Sequence, residues 1–244
     1  MLLTTHQFTP HRNHGEHFLF MEDTMGIKER RAQEKQARQN QILDAARDLL
    51  FSQGIHQVSI SKISKQSRLA VGTIYFYYKN KEEIFIALQQ EGLQLLHEMV
   101  MQIIDQPVIS EDEKLRQIGR AYYDFSREQE AYFTIINSFL SAPGIFFPDA
   151  QKRRVDKAGN RLLNLIRDLV AQGCDNQCFT PTDPAKFTLM FWGTLHGLLQ
   201  FKKLESTILG NQDHTEVYFY SVEQLIRSIS TPLIHVESTK ETAS

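Results

Sequence analysis

Between residues 42 and 50 the apolar positions are Ile42, Ala45, Ala46, Leu49 and Leu50, the i, i+3, i+4, i+7, i+8 spacing that lays one stripe along a helix. The pattern predicts a long helix that starts near Glu29, polar at first and amphipathic later, closed by Gly54 in a left-handed cap. Ser59 is placed to cap a short helix holding Ile60 and Ile63 and ending near Ser67. A break of about three residues, "SRL", leads into a third helix from about Val71 to Tyr77. "YKNK" then makes a turn, and Glu82 and Glu83 stand in the first turn of a long fourth helix, where carboxylates suit the positive end of the dipole.

Beyond Pro107 the period stays helical. Ser110-Glu111-Asp112-Glu113 reads as a capping box opening a helix to about Arg127. "AYFTIINSFL" is an apolar helix halted by Pro143-Gly144, and a further helix from about Asp149 to Gly173 carries Val155, Leu162, Ile166 and Val170 on one stripe. Asp183 as cap with Pro184 at the first helical position starts a strongly apolar helix to about Leu204. Asp213-x-x-Glu216 is a second capping box, opening a helix to about Ser230 before Pro232. With no alternating strand pattern, the chain is expected to be all-α with about nine helices.

The expected organisation is a disordered extension over 1–27, a helix-turn-helix domain over 28–82, a helical regulatory and dimerisation domain over 83–232, and a flexible tail over 233–244. Met25, just before the first orderly segment, is a candidate native start that intact mass would decide. No apolar run approaches the roughly 20 residues that span a bilayer, and "HFLFM" lacks the basic lead of a secretory signal, so a soluble, cytoplasmic bacterial protein is expected.

Charge changes this picture more than composition does. The whole chain carries a net −2, but residues 26–81 hold eleven Lys and Arg against four Asp and Glu, while residues 82–244 hold fifteen against twenty-two. A basic front on an acidic body is the asymmetry of a chain in which one part meets nucleic acid. Cys174 and Cys178, four apart and without a histidine pair nearby, make at best half a zinc site and read as ordinary thiols. No nucleophile with a base, paired carboxylates, metal-spaced cluster or phosphate-binding glycine loop stands out, so neither catalysis nor a metal or other cofactor is expected. The His11, His14 and His17 pairs fall in the extension, which offers no rigid shell for a metal.

The run Tyr75-Phe76-Tyr77-Tyr78 follows Gly72-Thr73 and precedes Lys79 and Lys81. Four successive helical side chains cover most of the circumference, so some of these rings must face outward. The second and third helices, with Ile60, Ile63, Leu69 and Ile74 placed to pack them together, form a helix-turn-helix, whose second helix enters the major groove while the first lies across the phosphates. Ile74 and one or two rings then pack inward, leaving Thr73, Tyr75 and Tyr77 for duplex DNA, where hydroxyls bond phosphates and Thr73 reaches a base edge or thymine methyl. Gly72 allows close backbone approach, and Lys81 adds a cation at a helix start that already favours phosphate. The candidate DNA contacts are Ser59, Lys62, Ala70, Val71, Gly72, Thr73, Tyr75, Phe76, Tyr77 and Lys81.

The stretch "ILDAARDLLFSQGIHQVSISKISKQSRLAVGTIYFYYKNKEEIF", 42–85, resembles the DNA-binding domain of the tetracycline-repressor (TetR/AcrR) family of bacterial regulators. The likeness runs over roughly residues 35–90. It joins in order the Ile-x-x-Ala-Ala helix, Gly54, the capped second helix, the Gly-Thr-x-Tyr helix and the Lys-x-Lys-Glu-Glu turn. The resemblance implies a three-helix DNA-binding head on an all-helical ligand-binding body that dimerises through its last two helices. It also implies DNA-contact roles for Gly72, Thr73, Tyr75, Tyr77 and Lys81. Arg68 stands where family members often have Gly, and Val71 where many have Lys or Arg, so operator preference does not carry over from a lysine-bearing relative.

In the body, Gly193 and Gly197 lie four apart on a helix too apolar to face water, which fits a subunit interface made with the 214–230 helix or an ordinary buried helix. The interface reading takes Phe187, Phe191, Gly193, Thr194, Gly197, Leu198, Tyr218, Val222 and Leu225, and a two-fold dimer would let two heads read spaced half-sites. The many rings between residues 122 and 147 are either core or the lining of a pocket for an apolar or aromatic molecule. Candidate lining residues are Tyr122, Phe125, Phe133, Asn137, Phe146, Trp192 and His196, the last also readable as a satisfied core histidine. The leading expectation is a repressor that binds a palindromic operator as a homodimer and is released by a small molecule. The rivals are a same-fold activator or protein-sensing regulator, and a metabolite-binding enzyme or carrier with a vestigial head.

Overall fold

Helix α1 runs over Gly15–Gln53, and its second half contributes Ile42, Ala45, Ala46, Leu49 and Leu50 to the core, the stripe read from the sequence. This is a computed structural model in which residues 15–141, 149–200 and 213–232 are described. The helix begins well before Glu29. A helix already nucleated downstream extends at little cost through the Glu- and Met-bearing sequence of residues 15–27. Residues 26–38 are exposed along their whole length, so this part of α1 is an arm rather than a packed element.

Gly54 ends the helix at φ 76°, ψ 163°, a positive φ open to glycine, and a single 3₁₀ turn, Ile55–Gln57, follows. Helices α2 (Ile60–Ser67) and α3 (Val71–Tyr77) stand where the periodicity places them. Ser59 caps α2 by accepting the Lys62 amide at 3.3 Å. Arg68 ends α2 at φ 56°, ψ 31°, the left-handed conformation that glycine takes without penalty. Gln41 of α1 donates to the Ser67 carbonyl at 2.7 Å and fixes the turn against the first helix.

Helices α4 (Lys81–Ile104), α5 (Glu111–Glu128), α6 (Glu130–Ser141), α7 (Asp149–Asp175), α8 (Pro184–Gln200) and α9 (His214–Arg227) complete nine helices among the described residues. Asn80 caps α4 by accepting the Glu83 amide at 2.9 Å, Asp183 accepts from Ala185 and Lys186 ahead of α8, and Asp213 accepts from Thr215 ahead of α9. The expected box at Ser110 is not closed, because its hydroxyl accepts no backbone amide. No strand occurs among the described residues, only an isolated bridge between Phe179 and Ser230.

Helix α4 is the spine of the body, with α5, α6 and α7 packed around it, α8 against α7, and α9 against α5 and α8. Two crossings depend on glycine. A Cβ on Gly92 would lie 2.8 Å from Tyr132 Cβ, and one on Gly119 would lie 3.0 Å from Val222, so α4 meets α6 and α5 meets α9 at backbone distance. At the second crossing Tyr218 donates to the Gly119 carbonyl at 2.8 Å, and Arg116 bridges Glu223 and Asp112 at 2.8 and 2.7 Å.

This packing corrects the interface residues. Phe187, Phe191, Tyr218 and Val222 are buried within the chain, the first two rings stacked at 5.9 Å, so they cannot also be the face offered to a second subunit. Leu198 and Leu225 are half-buried against the same core, and Thr194 and Gly197 are half-buried. Gly193 is exposed. The outward apolar residues of α8 and α9 are instead Leu189, Met190 and Tyr220, 70, 46 and 66% exposed. Pro143-Gly144, Phe146, Phe147, the continuation of α8 to Leu204, the first 14 residues and the tail from 233 lie outside the described residues.

Candidate functional site

Ile74 on α3 and Tyr78, the extended residue that ends it, are buried, and this sets what the other faces present. Val71, Tyr75 and Phe76 point outward, the latter two 52 and 80% exposed, with Thr73 and Tyr77 half-buried at the edges. The inward ring of the aromatic run is thus Tyr78, whose phenol burial pushes up to about 12, while Tyr77 packs partly on the core and meets Phe76 edge-on at 5.1 Å. Phe76 is the most exposed large side chain of the run, an apolar ring held largely in water with Tyr77 at its edge.

The other candidates stand on α2, at the start of α3 and at the start of α4. Ala70 is the residue before α3, with extended backbone and no side-chain cap. A Cβ on Gly72 would meet nothing within 4 Å, so its smallness serves no contact inside the chain. Lys62, exposed on α2, donates to Gln53 at 2.7 Å, and Lys81 at the first turn of α4 holds its ammonium 5.5 Å from the Phe85 ring centre. Ser59 is partly committed to its cap. The arrangement is an exposed helix with hydroxyls, a bare ring and flanking cations, a surface able to lie against a sugar-phosphate edge and place Thr73 at a base.

In the body, four of the predicted lining residues form one aromatic cluster. The Tyr122 ring lies 4.4 Å from Trp192 and 6.0 Å from Phe133, and its hydroxyl is 2.6 Å from His196 Nδ1. His196 Nε2 is 2.5 Å from the Gln200 amide, which by turning satisfies either tautomer. Phe125 is a core residue lining neither cavity below.

Trp192 of the cluster lines one cavity and Phe133 lines another. One, of about 150 Å³ between α4, α6, α7 and α8, is lined by Leu93, Ile136, Leu140, Val155, Leu162 and Trp192, and by Gln89, which is 2% exposed and whose Oε1 has no hydrogen-bond partner among the described residues. The other, of about 470 Å³ between α5, α6, α8 and α9, is lined by Tyr123, Arg127, Phe133, Asn137, Asp213 and Thr215, and Asn137 Oδ1 is likewise unpartnered among the described residues. Gln89, Leu93 and Ile136 were not singled out from the sequence, and Leu162 was read there only as part of a core stripe. They sit on three helices far apart in the chain, and a glutamine on an apolar stripe was the one local signal. Among the described residues no group of three or more His, Cys, Asp or Glu is placed to hold a metal ion.

Burial lowers the His196 pKa from its ordinary value of 6.5. The unfolded chain therefore binds the proton more readily than the folded one, so this histidine's contribution is present above pH 6.5 and is lost as pH falls toward the lower folded value. The thermal midpoint is expected to drop between pH 7.5 and 5.5, and His196→Gln, which keeps a hydrogen-bonding side chain, should flatten that drop. An identical pH profile in the variant would show that His196 carries none of it.

Residues 42–88 match "Bacterial regulatory proteins, tetR family", and residues 115–225 match "Tetracyclin repressor-like, C-terminal domain". Over 60 residues the chain is 47% identical to the fatty acid metabolism regulator protein of Bacillus subtilis, a match covering 25% of this chain and 31% of that regulator's length. The FadR regulator from Bacillus subtilis, solved in complex with stearoyl-CoA, superposes with a TM-score of 0.62 at 23% identity, covering 76% of this chain and 96% of FadR. AibR, solved in complex with isovaleryl coenzyme A and operator DNA, superposes with a TM-score of 0.60 at 18% identity over 78% of this chain and 98% of AibR. These two likenesses establish a shared fold.

Proposed function

The chain belongs to the tetR family of DNA-binding transcriptional regulators, and from that premise we propose a homodimeric cytoplasmic repressor that an acyl-thioester releases from a palindromic operator. The observation that carries the DNA-binding part is the exposed Tyr75–Phe76 face above a buried Ile74 and Tyr78 on a helix seven residues long. In this reading Gly72, Thr73, Tyr75 and Phe76 meet the duplex, Val71, Ala70 and Tyr77 border it, and Ser59, Lys62 and Lys81 face phosphates. The two subunits join through Leu189, Met190 and Gly193 of α8 and Tyr220 of α9, an apolar face that would otherwise stand in water.

For the effector, the supporting observations are the cavity beside Gln89 and the acyl-CoA ligands of FadR and AibR. An acyl chain suits the apolar walls at Leu93, Ile136 and Leu162, with the Gln89 side chain turned so that Nε2, rather than the acceptor Oε1, donates to the thioester carbonyl. A ligand favouring a body arrangement in which the heads are mis-spaced lowers operator affinity by no more than its differential affinity for the two arrangements.

The test starts from genomic fragments retained by the purified protein. Fluorescence anisotropy on the selected duplex should show affinity that falls steeply with salt. Release is expected with isovaleryl-CoA or stearoyl-CoA and not with coenzyme A alone. Retained binding at saturating levels of both thioesters would end the acyl-thioester reading, and binding that strengthens would favour the activator.

A further inference from the structure

Arg47, on the core-facing half of α1, donates through Nη1 to the Tyr132 hydroxyl of α6 at 2.7 Å, and that hydroxyl donates to Glu91 Oε2 of α4 at 3.1 Å. The guanidinium also lies over the Tyr132 ring, 5.5 Å from its centre, and donates to Asp44 at 2.5 Å. One phenol therefore ties the helix that backs the head to two helices of the body. Tyr132 is itself immobilised by the glycine crossing, where its Cβ fits the space that a Gly92 side chain would fill. Beside the junction an open groove of about 700 Å³, bordered by Asn40, Asp44, Gln94 and Glu98, separates α1 from the middle of α4, so little packing there resists rotation. Tyr132 shares a helical stripe with Ile136 and Leu140, which line the cavity at i+4 and i+8.

We propose that Tyr132, bonded to Arg47 and Glu91, fixes the angle of the head on the body and so sets the half-site spacing that the dimer accepts. This rests on the reading of the chain as a dimeric DNA-binding regulator. Hydrogen bonds to a charged, half-buried guanidinium are directional and short, so they define an angle that apolar contact alone leaves loose. The head is a lever. A small rotation at Arg47 displaces α3 relative to its two-fold mate, and half-sites about one helical turn apart tolerate little displacement.

The test uses the full chain with Tyr132→Phe, which keeps the ring and its fit against Gly92, and separately with Arg47→Met. Nitroxide labels at Gln66→Cys on α2 and Asp168→Cys on α7, in a Cys174→Ser, Cys178→Ser background diluted with unlabelled chain, report the head-to-body distance by pulsed electron spin resonance. A narrow distribution is expected in the parent, broadened by either substitution, with the double variant no broader than the singles because they break one interaction. In parallel, the selected duplex is compared with versions lengthened or shortened by one base pair at the centre. The parent should discriminate by about 10-fold or more, and both variants should lose most of that discrimination. Equal distance distributions in parent and variants would overturn the proposal, as would spacing discrimination that survives both substitutions. Distances that are narrow in the parent and broadened in the variants, in a chain that binds no duplex, would count against the DNA-binding reading and leave the head–body tie standing. A thermal midpoint for each variant separates loosening of the junction from unfolding.

Discussion

Alanine at both Tyr75 and Phe76 is expected to reduce affinity for the selected duplex by about 10³-fold while the chain stays folded. Both side chains are more than half exposed, and neither is part of the core that Ile74 and Tyr78 enter. Removing them should change stability by no more than about 0.5 kcal/mol. Each lost contact is worth about 1 kcal/mol, and two residues on two heads give about 4 kcal/mol, the source of the 10³-fold figure. Ile74→Ala makes the contrast. It empties a buried site, costs about 2–5 kcal/mol of folding stability, and weakens DNA binding only because the head melts. Anisotropy read alongside thermal unfolding separates the two. Binding within threefold of the parent in the Tyr75→Ala, Phe76→Ala chain would remove α3's outer face from the DNA surface.

A chain carrying Leu189→Glu and Gly193→Glu is expected to sediment as a folded monomer and to lose operator binding with its dimer. The two positions are one helical turn apart on α8, Leu189 is 70% exposed, and a side chain at Gly193 meets nothing of its own subunit. The substitutions therefore spare the fold. Across a two-fold axis each carboxylate is buried against an apolar partner or near its own copy, at a cost of several kcal/mol, which raises the dimer dissociation constant by about 10³-fold or more. A single head then reads one half-site. Phe191→Ala should behave differently, destabilising the chain itself by about 3–5 kcal/mol, since that ring is wholly buried. Analytical ultracentrifugation decides between them. A stable dimer in the glutamate variant would move the interface elsewhere.

The head was legible because its signals are local. Ser59 before Ile60, the short break at Arg68 and the start of a new apolar period at Val71 each act over a few residues, and α2 and α3 fall where they point. Ile74 could be assigned inward by its spacing, but which ring of the run accompanies it could not. That depends on where α3 ends, since Tyr78 leaves the helix with extended backbone and turns its ring inward. The inner and outer faces of the last two helices could not be told apart for a related reason. A helix as apolar as "FTLMFWGTLHGLLQ" has no polar face to mark the outside, so periodicity cannot distinguish the Phe187–Phe191–Leu195 stripe, which is core, from Leu189–Met190–Gly193, which is surface. The cavity was invisible for a third reason. Gln89, Ile136 and Leu162 lie on different helices, and only the close crossing at Gly92 brings α4 and α6 near enough to share a wall. The junction at Tyr132 joins residues 85 positions apart and has no sequence signature at all.

Whether α3 reads DNA with its outer face is tested most directly by a crystal structure of the dimer on its selected duplex. Thr73 should lie within about 3.5 Å of a base edge, with Gly72 against the backbone and Tyr75 and Phe76 on the sugar-phosphate wall of the major groove. A complex in which Tyr75 and Phe76 face solvent, with the duplex held by another surface, would contradict it.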